Sequence, residues 1–345
     1  MNNRNNSFDL IRHFAALLVL YSHHYALCKL PEPTFPQWDT LGYVAVVLFF
    51  TISGYFMPAS YSSSGNFLIF MTKRCRRIFP ALIVCSFLMC YLIGTIFTPQ
   101  PVFDYLLSGS TMKTSLLFSS FIGRPIPGVF SDFLYKDAIN GSLWTLPIEF
   151  ACYLIIGIAL YYCNSLKSVL TLFILCITAT MFMSHTGMNY MFYGITLSYL
   201  SLFGIAFTAG ALMSMTQQHW LPIRLHFMGV ALLLLFLLRE HPEMQILGTL
   251  SIAVLTIIIG VSLKDRLING KFDLSYGIYI YAFPIQQMVI NRVTQNFWLS
   301  MSISVLFTIF AAYLSYRFVE KPFLYANAYK SKNIQMSSLS VPIVN

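Results

Sequence analysis

Long unbroken apolar runs recur through this chain, among them ALLVLY, ALLLLFLL and IAVLTIIIGV. An element that keeps one face in water must alternate or turn its polar positions outward, and these runs do neither. They fit segments surrounded by hydrocarbon. Of the 345 residues 57% are apolar and 10% charged, whereas a soluble domain carries about 25% charged residues. A soluble two-domain protein is excluded on that ground. Barrel strands alternate over segments of about ten residues, which these runs do not, so helices are left as the way to satisfy backbone polar groups in lipid. The fold class is all-α, a polytopic membrane protein. At about 20 residues per span, the sequence predicts ten transmembrane helices over 8–28, 41–60, 78–98, 143–163, 168–184, 195–214, 225–238, 245–263, 274–291 and 297–317.

The formal charge of +9 raises the question of a nucleic-acid partner, and topology answers it. With a cytoplasmic N-terminus, 15 of the 21 Lys and Arg residues fall in inside segments and 6 in outside ones. The positive-inside rule accounts for that split, so both termini are expected to be cytoplasmic and no nucleic acid is needed. The first apolar segment carries Asp9, Arg12 and His13 and lacks a small-residue cleavage pattern, which makes it a span and not a secretion signal. Seven cysteines, an odd number without paired spacing, define neither a disulfide framework nor a zinc site. The expected organisation is a transmembrane domain over 1–325 and a polar cytoplasmic tail over 326–345. The longest connection, 99–142, lies outside and is rich in Pro and Gly. Its stretch KTSLLFSSFIG, 113–123, is either re-entrant or a surface segment packed on the bundle.

Ionisable groups within spans cost several kcal/mol unless paired or hydrated, so each marks a candidate site. Arg12 and His23 are eleven residues apart; at about 100° per residue they fall within about 20° of one another, with a rise of about 16 Å. His13 and His24 sit about 100° off that stripe. The fourth span enters through NGSLWTLPIEFACY, with Ser142 and Trp144 at its mouth and Glu149 within two turns. Counted inward, Glu149 and His23 lie at about 9 and 8 Å depth. A carboxylate meeting an imidazole there would orient a general base; the plainer alternative is a pair of interhelical hydrogen-bond partners. Between spans two and three, KRCRRIFP places four basic residues in five positions. Arg74 and Arg77 suit a phosphate through their guanidinium forks, although a basic cluster beside a span also serves topology and anionic lipid. Ser53 and Gly54, in FFTISGYF, form a small-residue patch suited to close helix packing.

Taken in order, these pieces resemble the acyltransferase-3 superfamily of membrane acyltransferases, which includes O-antigen and other surface-polysaccharide O-acetyltransferases. Arg12 and His23 in FDLIRHFAALLVLYSHH match its signature of a basic residue, ten others and a histidine. Residues 49–54 resemble its FF-x-x-SG segment, Arg74 and Arg77 its RxxR pair, and Trp144, Thr145, Leu146, Glu149 and Tyr153 its W-[ST]-L-x-x-E-x-x-x-Y segment. LSYGIYIYAFPI and YRFVEKPF resemble the last two signatures. One departure stands out: many members have a histidine where this chain has Ala282. The SGNH hydrolase-like domain fused to some members is not expected here.

The resemblance implies an acyl-CoA donor, most often acetyl-CoA, an acceptor hydroxyl on a carbohydrate that is in some cases lipid-linked, and residence among the lipids of a bacterial cytoplasmic (inner) membrane. It assigns catalytic roles to His23, Glu149 and Arg12 and donor binding to Arg74, Arg77 and Arg12. Acceptor contacts are expected from Trp144, Tyr153 and Ser142, and no metal is required for an already activated thioester. Ser22, Ser53 and Ser142 are the alternative nucleophiles if an acyl-enzyme forms. The rival class is a secondary transporter or flippase of a glycan or small anion. It predicts inverted repeats, which the sequence does not display.

Overall fold

The structure, a computed structural model, describes residues 6–35, 38–237 and 244–324. The expected tail over 326–345 lies outside the described residues. Helix α1 spans Phe8–Leu27, α2 Leu41–Ser64 and α3 Phe67–Phe87, which runs on through a π turn, Leu88–Ile93, to Phe97. Two short helices follow, α4 over Val102–Leu107 and α5 over Gly109–Ser119. The remainder are α6 (Leu146–Tyr162, entered through a 3-10 turn Leu143–Thr145), α7 (Leu166–Thr186), α8 (Leu197–Met215), α9 (Arg224–Leu237), α10 (Met244–Ser262), α11 (Ser275–Arg292) and α12 (Phe297–Ser315). Among the described residues strand structure is confined to two hairpins of two-residue strands, Thr34–Phe35 with Asp39–Thr40 and Met191–Phe192 with Ile195–Thr196.

Eight helical segments are long and apolar enough to cross a membrane. Two of the ten expected spans, α1 and α11, are helices of 20 and 18 residues that fall outside that set. The reason is chemical: α1 carries Asp9, Arg12 and three histidines, and α11 carries Gln286, Gln287, Asn291 and Arg292. These two helices pack on each other, with α2 on the far side of α1 and α12 beside α11. Apolar helices therefore surround a polar pair, which is the arrangement that hides polar side chains from lipid.

The third span departs from expectation at its start. Hydropathy placed its beginning at 78, with KRCRRIFP as a connection, but α3 begins at Phe67 under an Asn66 cap, whose Oδ1 accepts from the Ile69 N–H at 2.8 Å. Lys and Arg are good helix formers. An apolar window marks where hydrocarbon begins; it does not mark where a helix starts. Arg74 and Arg77 are consequently fixed on a helix, one turn apart on one face.

Packing of α2 on α8 is backbone against backbone. A Cβ at Gly54 would lie 1.8 Å from the Phe207 carbonyl oxygen, and one at Gly210 2.2 Å from that of Thr51. The small-residue patch around Gly54 thus has a packing role, and Phe50 stacks on Phe203 beside it at 4.9 Å. In the outer connection, α5 packs along α3 and buries Thr111, Ser115 and Phe118. Eleven residues rise about 16 Å, half the thickness of the hydrocarbon core, so α5 lies on the bundle and does not traverse it. The glycine contact yields a first prediction. Gly54→Val should cost more than the roughly 1–3 kcal/mol of ordinary overpacking, read as a fall in thermal midpoint and monodisperse yield in detergent; an unchanged midpoint would mean the two backbones are not in contact.

Candidate active site

Helix α1 is unbroken between Arg12 and His23, so the two share a stripe with about 16 Å between them. Their neighbours are committed to structure. His13 accepts from the Leu274 N–H at Nε2 (2.9 Å) and its Nδ1 donates to the Asp9 carbonyl (2.7 Å), tying α1 to the segment ahead of α11. Gln286 Nε2 donates both to the Leu20 carbonyl (2.8 Å) and to His24 Nδ1 (3.0 Å), and His24 Nε2 in turn faces Ser300 Oγ at 3.0 Å. With Nδ1 accepting, the His24 proton sits on Nε2. His24 is fully buried and has no nitrogen left for chemistry. His23 is left.

At the Arg12 end a cavity opens among α1, α2, α3, α6 and α11, holding about 50 Å³ of space for water and lined by Arg12, Ser53, Arg77, Glu149, Tyr153 and Tyr279 among others. Arg12 lies 3.9 Å from Asp9 and over the Phe56 ring at 5.4 Å. Arg77 is anchored by Asp273, its Nη2 donating to Oδ2 at 2.8 Å, while Asp273 Oδ1 accepts from Ser275 Oγ at 2.6 Å. Burial pushes the Asp273 carboxyl up, but Arg77, Arg12 and these hydrogen bonds outweigh it and hold the carboxyl well below the usual range. Arg74 donates to Ser60 Oγ at 3.0 Å and lies over the Phe70 and Tyr153 rings at 5.5 and 5.7 Å. Its Nε is buried without a hydrogen-bond partner among the described residues, an unused donor beside the cavity wall. Glu149 accepts from Ser53 Oγ (2.8 Å) and from the Tyr153 hydroxyl. Sequence reasoning did not single out Asp273, Tyr279 or the buried Glu320, which accepts from Ser315 Oγ at 2.9 Å. The first two sit in or before the LSYGIYIYAFPI segment, where only the loss of a histidine drew notice. Ala282, at that position, packs in an apolar cluster with Leu20 and Met301.

At the other end His23 packs its ring edge-on against Phe283 (5.5 Å) and places Nδ1 3.4 Å from Ser142 Oγ. Ser142 is held by two direct bonds and one that anchors its partner. Its N–H donates to Asn140 Oδ1 (3.0 Å), its carbonyl accepts from the Tyr279 hydroxyl (2.7 Å), and Asn140 Nδ2 donates to the Ile280 carbonyl (2.8 Å). The Ile280 carbonyl is free to accept because Pro284, four residues on, has no N–H to offer it. A ring that donates from Nδ1 to Ser142 presents Nε2 as an acceptor.

The expected pairing of Glu149 with His23 is not what the structure forms. His23 stands level with Ser142, seven residues before Glu149, and seven residues of helix rise about 10 Å. Depth counted from predicted helix ends was too coarse to see this. Trp144 and Tyr153 also separate: Tyr153 is buried against the arginines, whereas Trp144, edge-on to Tyr199 at 4.9 Å, lines a second cavity of about 320 Å³ beneath the outer connection. The two cavities share the turn Leu143–Pro147, with Thr145 and Leu146 facing the inner one and Leu143, Trp144 and Pro147 the outer one. Tyr279 closes the boundary, its hydroxyl bridging Thr145 Oγ1 and the Ser142 carbonyl. Ser22 and Ser53, considered as nucleophiles, donate instead to Glu32 and Glu149. Among the described residues no three His, Cys, Asp or Glu side chains converge as a metal site.

A helical membrane bundle with a buried cavity that holds basic and acidic side chains, and a histidine further along the helix that supplies one of its arginines, defines a class, and comparison with known proteins names it. The acyltransferase-3 family, described as an acyltransferase domain, matches residues 5–317, and the chain belongs to that family. It is an O-acetyltransferase of the membrane. An O-acetyl transferase of Shigella phage Sf6 is 38% identical over 325 residues, covering 93% of this chain and 96% of the relative. Nodulation protein 10 of Rhizobium leguminosarum bv. viciae is 33% identical over 155 residues, 43% of this chain and 42% of that protein. No solved structure matches.

The Arg77–Asp273 pair supplies a second prediction. Asp273→Asn strands a guanidinium that is about a third exposed, and should lower unfolding free energy by about 2 kcal/mol, less than the roughly 3–5 kcal/mol of a fully buried pair because solvent screens part of the charge. A double-mutant cycle with Arg77→Gln measures it; a coupling near zero would show that the pair contributes nothing. Because the folded carboxyl titrates below its unfolded value, the contribution should be constant above about pH 5 and fade only as pH falls below about 4.

Proposed function

We propose that this protein transfers an acetyl group from acetyl-CoA, reaching the bundle from the cytosolic face, to a hydroxyl of a carbohydrate presented at the opposite face of a bacterial cytoplasmic membrane, with His23 as general base. The observation that carries the reading is the placing of Arg12, in the wall of the inner cavity, and His23 on one stripe of α1, with the turn Leu143–Pro147 lining that cavity and Ser142, the residue before the turn, facing His23. Arg74, with its unused Nε donor, and Arg77 hold the phosphates of the donor, and Arg12 guides the thioester end inward. Glu149, Ser53 and Tyr153 form the polar wall along which the acyl group lies.

The inner cavity is narrow, and Tyr279 separates it from His23. Transfer therefore requires the two hydrogen bonds of the Tyr279 hydroxyl to part. Once the thioester carbonyl reaches Ser142, His23 Nε2 takes the proton of the acceptor hydroxyl as its oxygen attacks; the C–S bond breaks, the imidazolium returns that proton to the sulfur, and coenzyme A leaves as the thiol. Ser142 orients the ring, in place of the Glu149 that the sequence suggested. Direct transfer is preferred over an acyl-enzyme because Ser22 and Ser53 are each committed to a carboxylate, while Ser142 accepts from His23 Nδ1 in this reading and so has no base to take its own proton.

Two measurements test this. His23→Ala should lower acceptor acetylation by about 100-fold or more, the usual share of a general base, in a protein that still inserts and purifies; near-normal transfer would remove the histidine from the mechanism. Arg74→Gln should raise the apparent KM for acetyl-CoA by roughly tenfold or more, as for loss of a charge-assisted hydrogen bond, with the acceptor KM unmoved. An unaltered donor KM would count against the phosphate role.

A further inference from the structure

The outer cavity has no part in donor binding, and its walls are unlike those of the inner one. Trp144 presents an open ring face at its base, 42% exposed and braced by Tyr199 and Phe203. Arg124 and Asp137 line the same space from the outer connection, and no ion pair joins them. The stretch that carries Asp137 is tied to α11 by side chains that bond its backbone. Gln287 Nε2 donates to the carbonyls of Tyr135 (2.8 Å) and Ala138 (2.9 Å) on either side of Asp137, and Asn291 Oδ1 accepts from the Leu134 N–H at 2.8 Å. Arg292 pairs with Asp132 at 2.6 Å and lies over the Phe133 ring at 5.0 Å, stapling the same stretch to α11. The hairpin at 191–196 closes the other side through the Tyr193 hydroxyl, which donates to the Ser120 carbonyl at 3.2 Å.

The backbone here is also strained. Phe121 (φ 67°) and Asp137 (φ 59°), both in the cavity wall, adopt left-handed conformations, which cost a residue with a side chain about 1–2 kcal/mol. Strain of that kind persists where surrounding contacts over-determine it, and it gathers at binding sites. The floor of the cavity is Asn140 and Gly141, the latter so close to Phe283 that a Cβ would lie 2.6 Å from the ring. The next residue is Ser142, against His23.

We infer that the outer cavity is the acceptor site and that it selects an uncharged pyranoside ring, stacked on Trp144 and held through its hydroxyls by Asp137 and Arg124. This rests on the acyl-transfer reading above for its purpose, but not for its existence. A volume of about 320 Å³ is at the bottom of the range of roughly 300–1,000 Å³ for small-molecule sites, which suits a single sugar unit and leaves the rest of a glycan outside. One cation and one anion that do not neutralise each other would each repel a ligand of like charge. Vicinal hydroxyls donate to the carboxylate and accept from the guanidinium, so a neutral sugar satisfies both. Stacking supplies the orientation that directs one hydroxyl down past Gly141.

Saturation-transfer NMR on the detergent-purified protein, without any acyl donor, tests this with the methyl α-glycosides of glucose, galactose and mannose and with methyl α-glucuronic acid. At least one neutral glycoside should receive saturation above a detergent control. Trp144→Ala and Asp137→Asn should each weaken it fivefold or more, with Trp144→Phe restoring part of the loss. Asn is chosen because it tolerates a positive φ. No transfer to any neutral glycoside, stronger transfer to the glucuronide, or binding that survives both substitutions would overturn the assignment. Thiol release from acetyl-CoA by the wild-type protein, measured in parallel, tests the donor reading separately: sugar binding without thiol release sinks the transferase mechanism and spares the site. In the reverse case the mechanism stands and the sugar must bind elsewhere.

Discussion

The geometry of the candidate site hangs on a carbonyl that α11 cannot satisfy for itself. In hydrocarbon an unpaired backbone carbonyl costs several kcal/mol, and Pro284 deprives Ile280 of its helical donor. Asn140, arriving from the outer connection, fills the vacancy at 2.8 Å and uses its own Oδ1 to hold the Ser142 N–H. Cys85 Sγ approaches the same carbonyl at 3.5 Å from α3. One missing hydrogen on α11 thus fixes the start of α6, and with it the hydroxyl that faces His23. The requirement that lipid imposes on the backbone becomes the means of placing a side chain.

Charges at the other end obey the same requirement. Arg77 on α3 meets Asp273 ahead of α11, and Glu149 on α6 meets Ser53 on α2. Such pairs are weak sources of net stability once desolvation is counted. Their effect is to fix which helix faces which, because a rotation of α3 or α6 by one residue would leave a charge alone in the bundle. Arg74 is the partial exception, with an Nε that meets nothing among the described residues. Of the seven buried side-chain polar atoms without a partner among the described residues, the Arg74 Nε is the one that belongs to a charged group.

What the sequence disclosed, and what it hid, follows from which quantities are periodic. The stripe of Arg12 and His23 was legible because 100° per residue is a property of any unbroken helix, and α1 is unbroken. The class of fold was legible from apolar runs alone. By contrast, the depth of Glu149 relative to His23 depended on how the ends of α1 and α6 stand against each other: the expected start at 143 coincides with the 3-10 turn Leu143–Thr145, but His23 meets Ser142, ahead of that turn. The basic cluster on α3 was placed in a connection because an apolar window marks hydrocarbon and not the start of a helix. Asp273 and Tyr279 were hidden for a different one: their partners, Arg77, Ser142 and Thr145, lie more than 130 residues away in sequence, and no local pattern encodes a pairing of that range.

Tyr279 also decides how the two halves of the site communicate. The inner and outer cavities adjoin the same turn, and under the proposed transfer a continuous channel between them would expose an activated ester to water. Each hydrogen bond of the Tyr279 hydroxyl contributes about 1 kcal/mol, so a ring held by two is open on the order of a few per cent of the time. That fraction is ample for turnover of an ordinary enzyme, since side-chain motions are far faster than typical kcat values. It is small enough to keep the path shut when no acyl group presses against it. A barrier made of packed Phe or Leu would have to displace its neighbours to open, at several kcal/mol. A hydroxyl bridging one carbonyl and one threonine gives a lower threshold, and that threonine, Thr145, belongs to the turn that lines both cavities.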